Sequence, residues 1–198
     1  MSYLKLDEGE KKALIRQYFE REIETIKRLN LDDIFAAAEA IWAAYMRDAT
    51  VYIFGNGGSA ATASHFVCDF NKGISEKKAK KFNLICLNDN SPMLMAIAND
   101  YSYDEIFYYP LKGRLKPTDL VIGISGSGNS TNVLRAVKYA KEIGAKVIGI
   151  TGYDGGKLKE LSDYHMDAMI DDMQIAEDIH MIFDHMLFHL FNNKELYQ

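Results

Sequence analysis

The spacing of hydrophobic and polar positions follows two different patterns along this chain, and the pattern changes near residue 50. From Glu10 to Leu29 apolar residues recur at steps of three and four, which predicts an amphipathic helix. A second helix is predicted from the apolar positions between Ile34 and Met46, after Asn30 and Asp32 supply residues suited to ending one helix and capping the next. The chain therefore begins with a pair of helices that precedes any strand.

Beyond Thr50 the pattern consists of short apolar runs rich in β-branched residues, which predict buried strands. The predicted strands are Val51–Phe54, Phe82–Leu87, Leu120–Ile124 and Val147–Ile150, with a weaker fifth at Met166–Ile170. Helical patterns lie between them, most clearly from Ser130 to Ile143 with Gly144 as the C-cap, and a last helix is predicted from about Met173 to Phe191. Because strands and helices alternate, we expect an α/β fold with a parallel sheet covered on both faces.

Two glycine-rich loops follow predicted strands and open predicted helices. They are Gly55-Asn56-Gly57-Gly58-Ser59 and Ser125-Gly126-Ser127-Gly128-Asn129-Ser130. Glycines let the backbone turn its amides towards one point, and a helix N-terminus there adds partial positive charge, so each loop is suited to an anion. Since both loops follow parallel strands, they meet at the carboxyl edge of the sheet. The pair predicts one phosphorylated small molecule as ligand.

These loops have two other interpretations. A glycine cluster by itself can be only a tight turn between a strand and a helix. A nucleotide is the rival ligand, but the sequence has no intact GxGxxG, no Walker lysine, and no acidic residue at a strand end about 20 residues downstream to bind a ribose. These features disfavour a nucleotide.

Composition and charge narrow the class of protein further. The 198 residues are 48% hydrophobic and 26% charged, which is typical of a soluble domain that buries a core, and the net charge of −5 disfavours direct binding of nucleic acid. Residues 1–10 show no apolar signal segment and no apolar run reaches 18 residues, so we expect a cytoplasmic protein without a membrane anchor. Cys68 and Cys86 have no metal-binding spacing, and we expect both to be reduced, buried thiols.

At these motifs the chain resembles the sugar isomerase (SIS) domain family, and within it the sedoheptulose 7-phosphate isomerases, also called phosphoheptose isomerases. The likeness covers nearly the whole chain and includes both loops, His65, Asn99-Asp100-Tyr101 and Thr151-Gly152-Tyr153-Asp154-Gly155-Gly156. It implies a flavodoxin-like three-layer α/β sandwich with a five-stranded parallel sheet. It further implies one SIS domain over residues 1–198, in which the helices of 1–48 pack in an oligomer and 49–198 form the α/β core.

The same resemblance assigns roles to individual residues and implies partners. It places the phosphosugar on Asn56, Gly57, Gly58, Ser59, Asp100, Ser125, Ser127 and Ser130. It makes Asp69 the catalytic base and His185 the catalytic acid, and it places a divalent metal, usually zinc, on His65, Asp69, Glu177 and His185. It also implies a homotetramer with sites shared between subunits.

The residues themselves support part of this assignment. Moving a proton between two carbons through an enediol requires a base at the carbon and an acid or a metal near the oxygens. His65 and Asp69 are four residues apart on a predicted helix, hence on one face, although a solvated surface pair has the same spacing. Glu177 and His185 lie about 80° apart around their helix, so spacing alone does not select them.

Two further histidines share the last helix. Spacing pairs His180 with Glu177 and His189 with His185 on common faces, but an interface or capping role is the preferred interpretation for both histidines.

The chain departs from the family pattern at several positions. Asp69 and Glu177 stand where the family has glutamate and glutamine, and three family arginines are replaced by Gly73, Tyr109 and Ile175. Fewer donors and an added carboxylate make the pocket less suited to an anionic sugar with many hydroxyls, whereas two histidines with two carboxylates suit a divalent cation.

Three functions follow as alternatives. The first is a metal-assisted isomerase that converts sedoheptulose 7-phosphate to D-glycero-D-manno-heptose 7-phosphate, and the second is an isomerase of a different phosphosugar. The third is a non-catalytic phosphosugar sensor or assembly protein, like family members that bind a replication initiator. The lysine-rich stretch Asn71–Lys81 is either a lid that supplies cations to the site or, preferably, a solvated loop.

Overall fold

A computed structural model describes residues 7–193 and residue 197 of the chain. The strands are β1 Val51–Gly55, β2 Leu84–Cys86, β3 Leu120–Ser125, β4 Lys146–Thr151 and β5 Tyr164–Asp167. The helices are α1 Glu8–Lys27, α2 Leu31–Met46, α3 Gly58–Cys68, α4 Ser91–Asp100, α5 Tyr108–Leu111, α6 Thr131–Ile143, α7 Gly156–Leu161 and α8 Met173–Phe191. A π-helical turn over Asp69–Gly73 and a 3-10 turn over Ile74–Lys77 continue α3.

Local sequence signals account for the helix boundaries. Asp7 and Glu10 exchange side-chain and backbone hydrogen bonds in a capping box that begins α1. The Asn30 side chain accepts the backbone N–H groups of Asp32 and Asp33 and so caps α2. Gly144, with φ of +88°, ends α6 in the left-handed conformation that glycine adopts readily. The predicted helical pair and the predicted α6 are confirmed.

The five strands form one parallel sheet in the order β2-β1-β3-β4-β5, which confirms the predicted flavodoxin-like α/β fold. The direction of strand succession reverses between β1 and β3, and Gly55 at the end of β1 pairs with Ile124 near the end of β3. All five strands differ somewhat from their predicted bounds. The strands β1, β3 and β4 extend by one residue at one or both ends, β2 is shorter, and β5 begins and ends earlier. The reversal places the loops after β1 and β3 next to each other.

Helices cover both faces of the sheet. One core lies between the sheet and α2, α3 and α8, and it includes the fully buried Ile41, Phe66, Phe70, Ile179 and Phe191. The other lies under α4 to α7 and includes Phe54, Phe107, Val121, Val133 and Leu158. Burial on both faces explains why the strands are continuous apolar runs. Cys86 is buried as expected, but Cys68 at the end of α3 is exposed, so that expectation was wrong.

Two lysines of the stretch Asn71–Lys81 pack on aromatic rings instead of facing solvent alone. The Lys78 ammonium lies 4.8 Å from the Trp42 ring centre, and that of Lys80 lies 4.7 Å from the ring centre of Tyr45. Lys80 also donates to the carbonyl of Met46, where α2 ends before the chain enters β1. These lysines therefore lie at the amino edge of the sheet, opposite the glycine-rich loops, and do not form a lid over them.

Helix α1 lies on the outside of this sandwich. Its Tyr18 hydroxyl donates to Asp178 of α8, and its Arg21 guanidinium binds the Asp172 carboxylate at 2.8 Å. The apolar side chains of Leu14, Ile15, Phe19 and Ile23 are each 51–58% exposed. Neither α1 nor any other helix in the described part of the chain is both long and apolar enough to cross a membrane.

Candidate functional site

The two glycine-rich loops lie against each other at the carboxyl edge of the sheet. A Cβ on Gly55 would lie 2.6 Å from the Ser59 Cβ and 2.8 Å from the Ile124 carbonyl oxygen, so only glycine allows this approach. In the second loop the hydroxyls of Ser125 and Ser130 are 3.0 Å apart. Ser59 and Ser125 are buried, with their hydroxyl groups next to the first turns of α3 and α6. The arrangement concentrates hydroxyl donors and helix N-termini, as an anion site requires.

The other predicted binding residues lie within the two loops or, for Asp100, at the end of α4. Ser127 is half-buried, and its hydroxyl accepts the backbone N–H of Asn129 at 3.3 Å. Gly57, with φ of +56°, precedes Gly58 at the start of α3. Asp100 is exposed at the end of α4, where it accepts a hydrogen bond from Asn99.

The amide of Asn56 is held by residues that the sequence did not single out. Asn56 and Asn132 exchange two amide hydrogen bonds of 2.9 Å, and the Tyr103 hydroxyl donates to Asn56 Oδ1 at 2.9 Å. Asn56 and Tyr103 line a cavity of about 210 Å³ beside the first loop, together with Asn88, Leu94 and Met95. Tyr103 follows the Asn99-Asp100-Tyr101 motif by two residues, which was the one available signal for it.

The first turns of α8 cover both loops. A methyl group on Gly126 would lie 2.5 Å from Met173 Sδ, and one on Gly58 would lie 2.3 Å from Glu177 Oε2. The half-buried Glu177 carboxylate therefore lies at the N-terminus of α3, where the helix dipole favours a negative charge. Glu177 thus lies at the end of the site formed by the glycine-rich loops.

Further along α3 and α8, two histidines and two aspartates come together. His65, Asp69, Asp184 and His185 each offer one ligand atom, and these atoms all lie within 4.8 Å of one another. The His65 Nε2 atom is 3.3 Å from His185 Nε2, 3.7 Å from Asp69 Oδ2 and 3.8 Å from Asp184 Oδ2. Three of the four predicted metal ligands are in this cluster. Among the described residues the fourth member is Asp184, and Glu177 is not part of it.

Asp184 is the unusual member of this cluster. Its side chain is fully buried, and neither carboxylate oxygen has a hydrogen-bond partner within the described residues. Burial, followed by the nearby charge of Asp69, raises the pKa of Asp184 to about 8. A buried carboxylate without partners is costly, and a cation placed beside it would remove that cost. The cluster therefore fits a divalent metal ion.

The backbone changes from an α-helix to a π-helical turn at Asp69. The α-helical hydrogen bonding of α3 ends at Cys68, and the π-helical turn Asp69–Gly73 follows. Such single turns are frequent at functional sites. The Asn71 side chain exchanges two hydrogen bonds with the backbone of Leu84, at 2.8 and 2.9 Å, and so fixes the turn to the edge of β2.

The remaining histidines of α8, and two of the positions that depart from the family pattern, lie outside this cluster. His180 is buried, its Nε2 lies 2.9 Å from the Thr151 carbonyl oxygen, and burial lowers its pKa to about 4. His180 therefore links α8 to β4 as a neutral imidazole, and His189 is exposed near the end of α8. Ile175 belongs to the buried core, and Tyr109 stacks on Tyr101.

Comparison with known proteins gives one consistent result. Residues 16–152 match the SIS domain family. The probable phosphoheptose isomerase of Thermoplasma acidophilum is 38% identical over 179 residues, which cover 90% of this chain and 98% of the relative. The phosphoheptose isomerase of Aliarcobacter butzleri is 34% identical over 187 residues, covering 93% and 98%. The structure of phosphoheptose isomerase from Neisseria gonorrhoeae superimposes with a TM-score of 0.84 at 28% identity and covers 91% of this chain and 98% of that one.

Proposed function

Because the chain belongs to the SIS domain family and, within it, to the phosphoheptose isomerases, we propose that it interconverts sedoheptulose 7-phosphate and D-glycero-D-manno-heptose 7-phosphate. One observation carries the proposal: the phosphate loop and the histidine–aspartate cluster share helix α3. Ser59 lies at its start and His65 six residues later, a rise of about 9 Å. In this sugar the phosphate and the reacting carbonyl are at opposite ends of the carbon chain. The phosphate can therefore bind at the glycine-rich loop while the carbonyl lies at the histidine–aspartate cluster.

The loops bind and orient the substrate in this proposal. The hydroxyls of Ser59, Ser125, Ser127 and Ser130 donate to the phosphate, with the N-termini of α3 and α6 supplying partial positive charge. Asn56, held by Asn132 and Tyr103, has one amide hydrogen left for a sugar hydroxyl.

The cluster on α3 and α8 moves the protons. The Asp69 carboxylate removes a proton from C1 of the ketose, the C1–C2 enediol forms, and the same proton returns to C2 to give the aldose. His185 transfers the accompanying proton between the two substrate oxygens, so no atom or electron is gained or lost. A bound divalent metal, for which we propose zinc held by His65, Asp69 and His185, supplies charge stabilisation at those oxygens.

The test is conversion of sedoheptulose 7-phosphate by pure protein supplied with zinc, followed by proton NMR. Asp69→Asn should lower kcat by about 100-fold or more, because it keeps the side-chain shape but removes the carboxylate that serves both as base and as a metal ligand in this proposal. Asp32→Asn, an exposed aspartate at the start of α2, is the matched control and should leave turnover unchanged.

Two outcomes would contradict this assignment. If the wild-type protein binds the sugar phosphate without converting it, the chain is a sensor and not an isomerase. If it converts only pentose or hexose phosphates supplied in parallel, the reaction class stands and the heptose substrate is wrong.

We further propose that the chain assembles as a homotetramer through α1, the predicted role of residues 1–48. The exposed apolar side chains of α1, including Phe19, support this, because such a face is stabilised by burial against another subunit. Phe19→Asp should lower the mass measured by light scattering, and Glu20→Asp, on the exposed side of the same helix turn, should not. An unchanged mass in Phe19→Asp would exclude this surface.

A further inference from the structure

We propose that Asp184, and not Glu177, is the fourth protein ligand of the metal site. This inference rests on the proposed metal-assisted function and assigns the ligands of that site. It concerns a residue for which neither the motif spacing nor the family resemblance gave any role. Three observations carry it: the burial of Asp184, the alignment of α3 with α8, and the position of Glu177.

The first observation is the state of the Asp184 side chain. It has no exposed surface, and both of its oxygens lack a hydrogen-bond donor among the described residues. Buried carboxylates in folded proteins are paired with donors, cations or metals. His65 Nε2 lies 3.8 Å from Asp184 Oδ2 and also faces Asp69 and His185. A cation among these four side chains would satisfy the two oxygens and separate the two carboxylate charges.

The second observation is the register between the two helices. Gly58 contacts Glu177, and His65 lies beside Asp184. Each step, from 58 to 65 on α3 and from 177 to 184 on α8, is seven residues, or two turns and about 10 Å of rise. Residues seven apart share a helix face, so Glu177 and Asp184 both point towards α3 but at different levels. Asp184 is at the level of the histidines, and Glu177 is at the level of the phosphate loop.

The third observation is that Glu177 already has favourable surroundings. Its carboxylate lies at the N-terminus of α3 and is only half-buried, so both the helix dipole and water stabilise its charge. It therefore gains less from a metal ion than Asp184 does. Two imidazoles with two aspartate carboxylates form a four-ligand set of the kind that zinc accepts.

The experiment measures metal binding directly. Full-length protein is stripped with a chelator, and dissociation constants for Zn²⁺ and Co²⁺ are obtained by chelator competition and from the visible absorption of bound Co²⁺. Asp184→Ala should weaken binding about 100-fold or more, since loss even of an outer-shell partner costs 10- to 100-fold. It should also reduce the intensity or shift the band of the Co²⁺ spectrum. The matched variant on the same helix, Glu177→Ala, should bind both metals within threefold of wild type.

A second variant protects the test against a folding defect. Asp184→Asn keeps the volume and removes the charge, so the metal-free protein should unfold at the wild-type temperature or above it, while the rise in Tm on adding Zn²⁺ is reduced. The inference is overturned if both Asp184 variants bind metal as wild type does, or if Glu177→Ala alone loses it.

The two proposals fail in different ways. Wild-type metal binding that depends on Asp184 but is accompanied by no turnover of sedoheptulose 7-phosphate would refute the proposed function and leave the ligand assignment intact. If turnover and metal binding both survive Asp184→Ala, the ligand assignment is refuted and the proposed function stands.

Discussion

Gly128 is the residue on which the shape of the serine-rich loop depends most directly. Its φ is +66°, and a Cβ there would lie 1.9 Å from the carbonyl oxygen of Gly155 and 3.0 Å from the Cα of Gly156. Both obstacles are backbone atoms, so no side-chain rotation can relieve the contact. The Gly128 carbonyl also accepts the N–H of Leu158 at 2.9 Å, which fastens the loop to the start of α7.

Gly128→Ala should therefore lower the free energy of unfolding for two reasons. The left-handed backbone costs a non-glycine residue about 1–2 kcal/mol. To reach ordinary contact the loop must also move by about 1 Å or more, which breaks the hydrogen bond from Leu158 and adds about 1 kcal/mol or more. A displacement of that size also misplaces Ser127 and Ser130, and a misplacement of about 1 Å can lower kcat/KM about 100-fold.

Gly113→Ala is the matched control for this prediction. Gly113 has φ of +74°, yet a Cβ there would meet nothing within 4 Å. Gly113→Ala should lower the free energy of unfolding only by the cost of the left-handed backbone, about 1–2 kcal/mol, and should leave kcat/KM unchanged. Urea unfolding gives the free energies and the NMR conversion assay gives kcat/KM. Equal losses of stability in the two variants, or an unchanged kcat/KM in Gly128→Ala, would refute the steric argument.

Three further predictions test other parts of the structure. Glu177→Gln should lower the KM for the sugar phosphate several-fold by removing a carboxylate from the phosphate end of α3, and an unchanged KM would contradict that placement. Asn71→Ala should lower the urea-unfolding free energy by about 2 kcal/mol, since it removes both hydrogen bonds to Leu84, whereas a loss near zero would show that the turn is held otherwise. Because the pKa of His180 falls from 6.5 to about 4 on folding, its contribution to stability is full above pH 6.5 and declines by about 3 kcal/mol towards pH 4. Urea unfolding across that range should show this decline in wild type and in His189→Gln, and a weaker one in His180→Gln.

The fold followed from sequence because its signals are local. Alternating strands and helices, the Asn30 cap and the Gly144 C-cap each act within a few residues, and the parallel α/β arrangement follows from their order. The burial expected for Cys68 was wrong, and the sequence did not predict that Lys78 and Lys80 pack on aromatic rings, because both features depend on how distant helices and rings surround these residues. The other lysines of the stretch are exposed, as the preferred interpretation expected.

In the candidate site, too, the features that the sequence predicted are local ones. The sequence by itself determined where the two glycine-rich loops lie and that His65 and Asp69 share a helix face, since one strand-to-helix junction or one helix turn contains each of them. The catalytic roles of Asp69 and His185 remain predictions that the proposed experiments address.

Only the tertiary structure decided which acidic side chain of α8 lies beside the histidines. Glu177 and Asp184 share one helix face, and the choice between them depends on the register between α8 and α3, which more than 100 residues separate in sequence. The same holds for Tyr103 and Asn132 around Asn56, which come from different elements. Packing between distant elements sets such registers through the summed contacts of many side chains, and no local pattern records that sum.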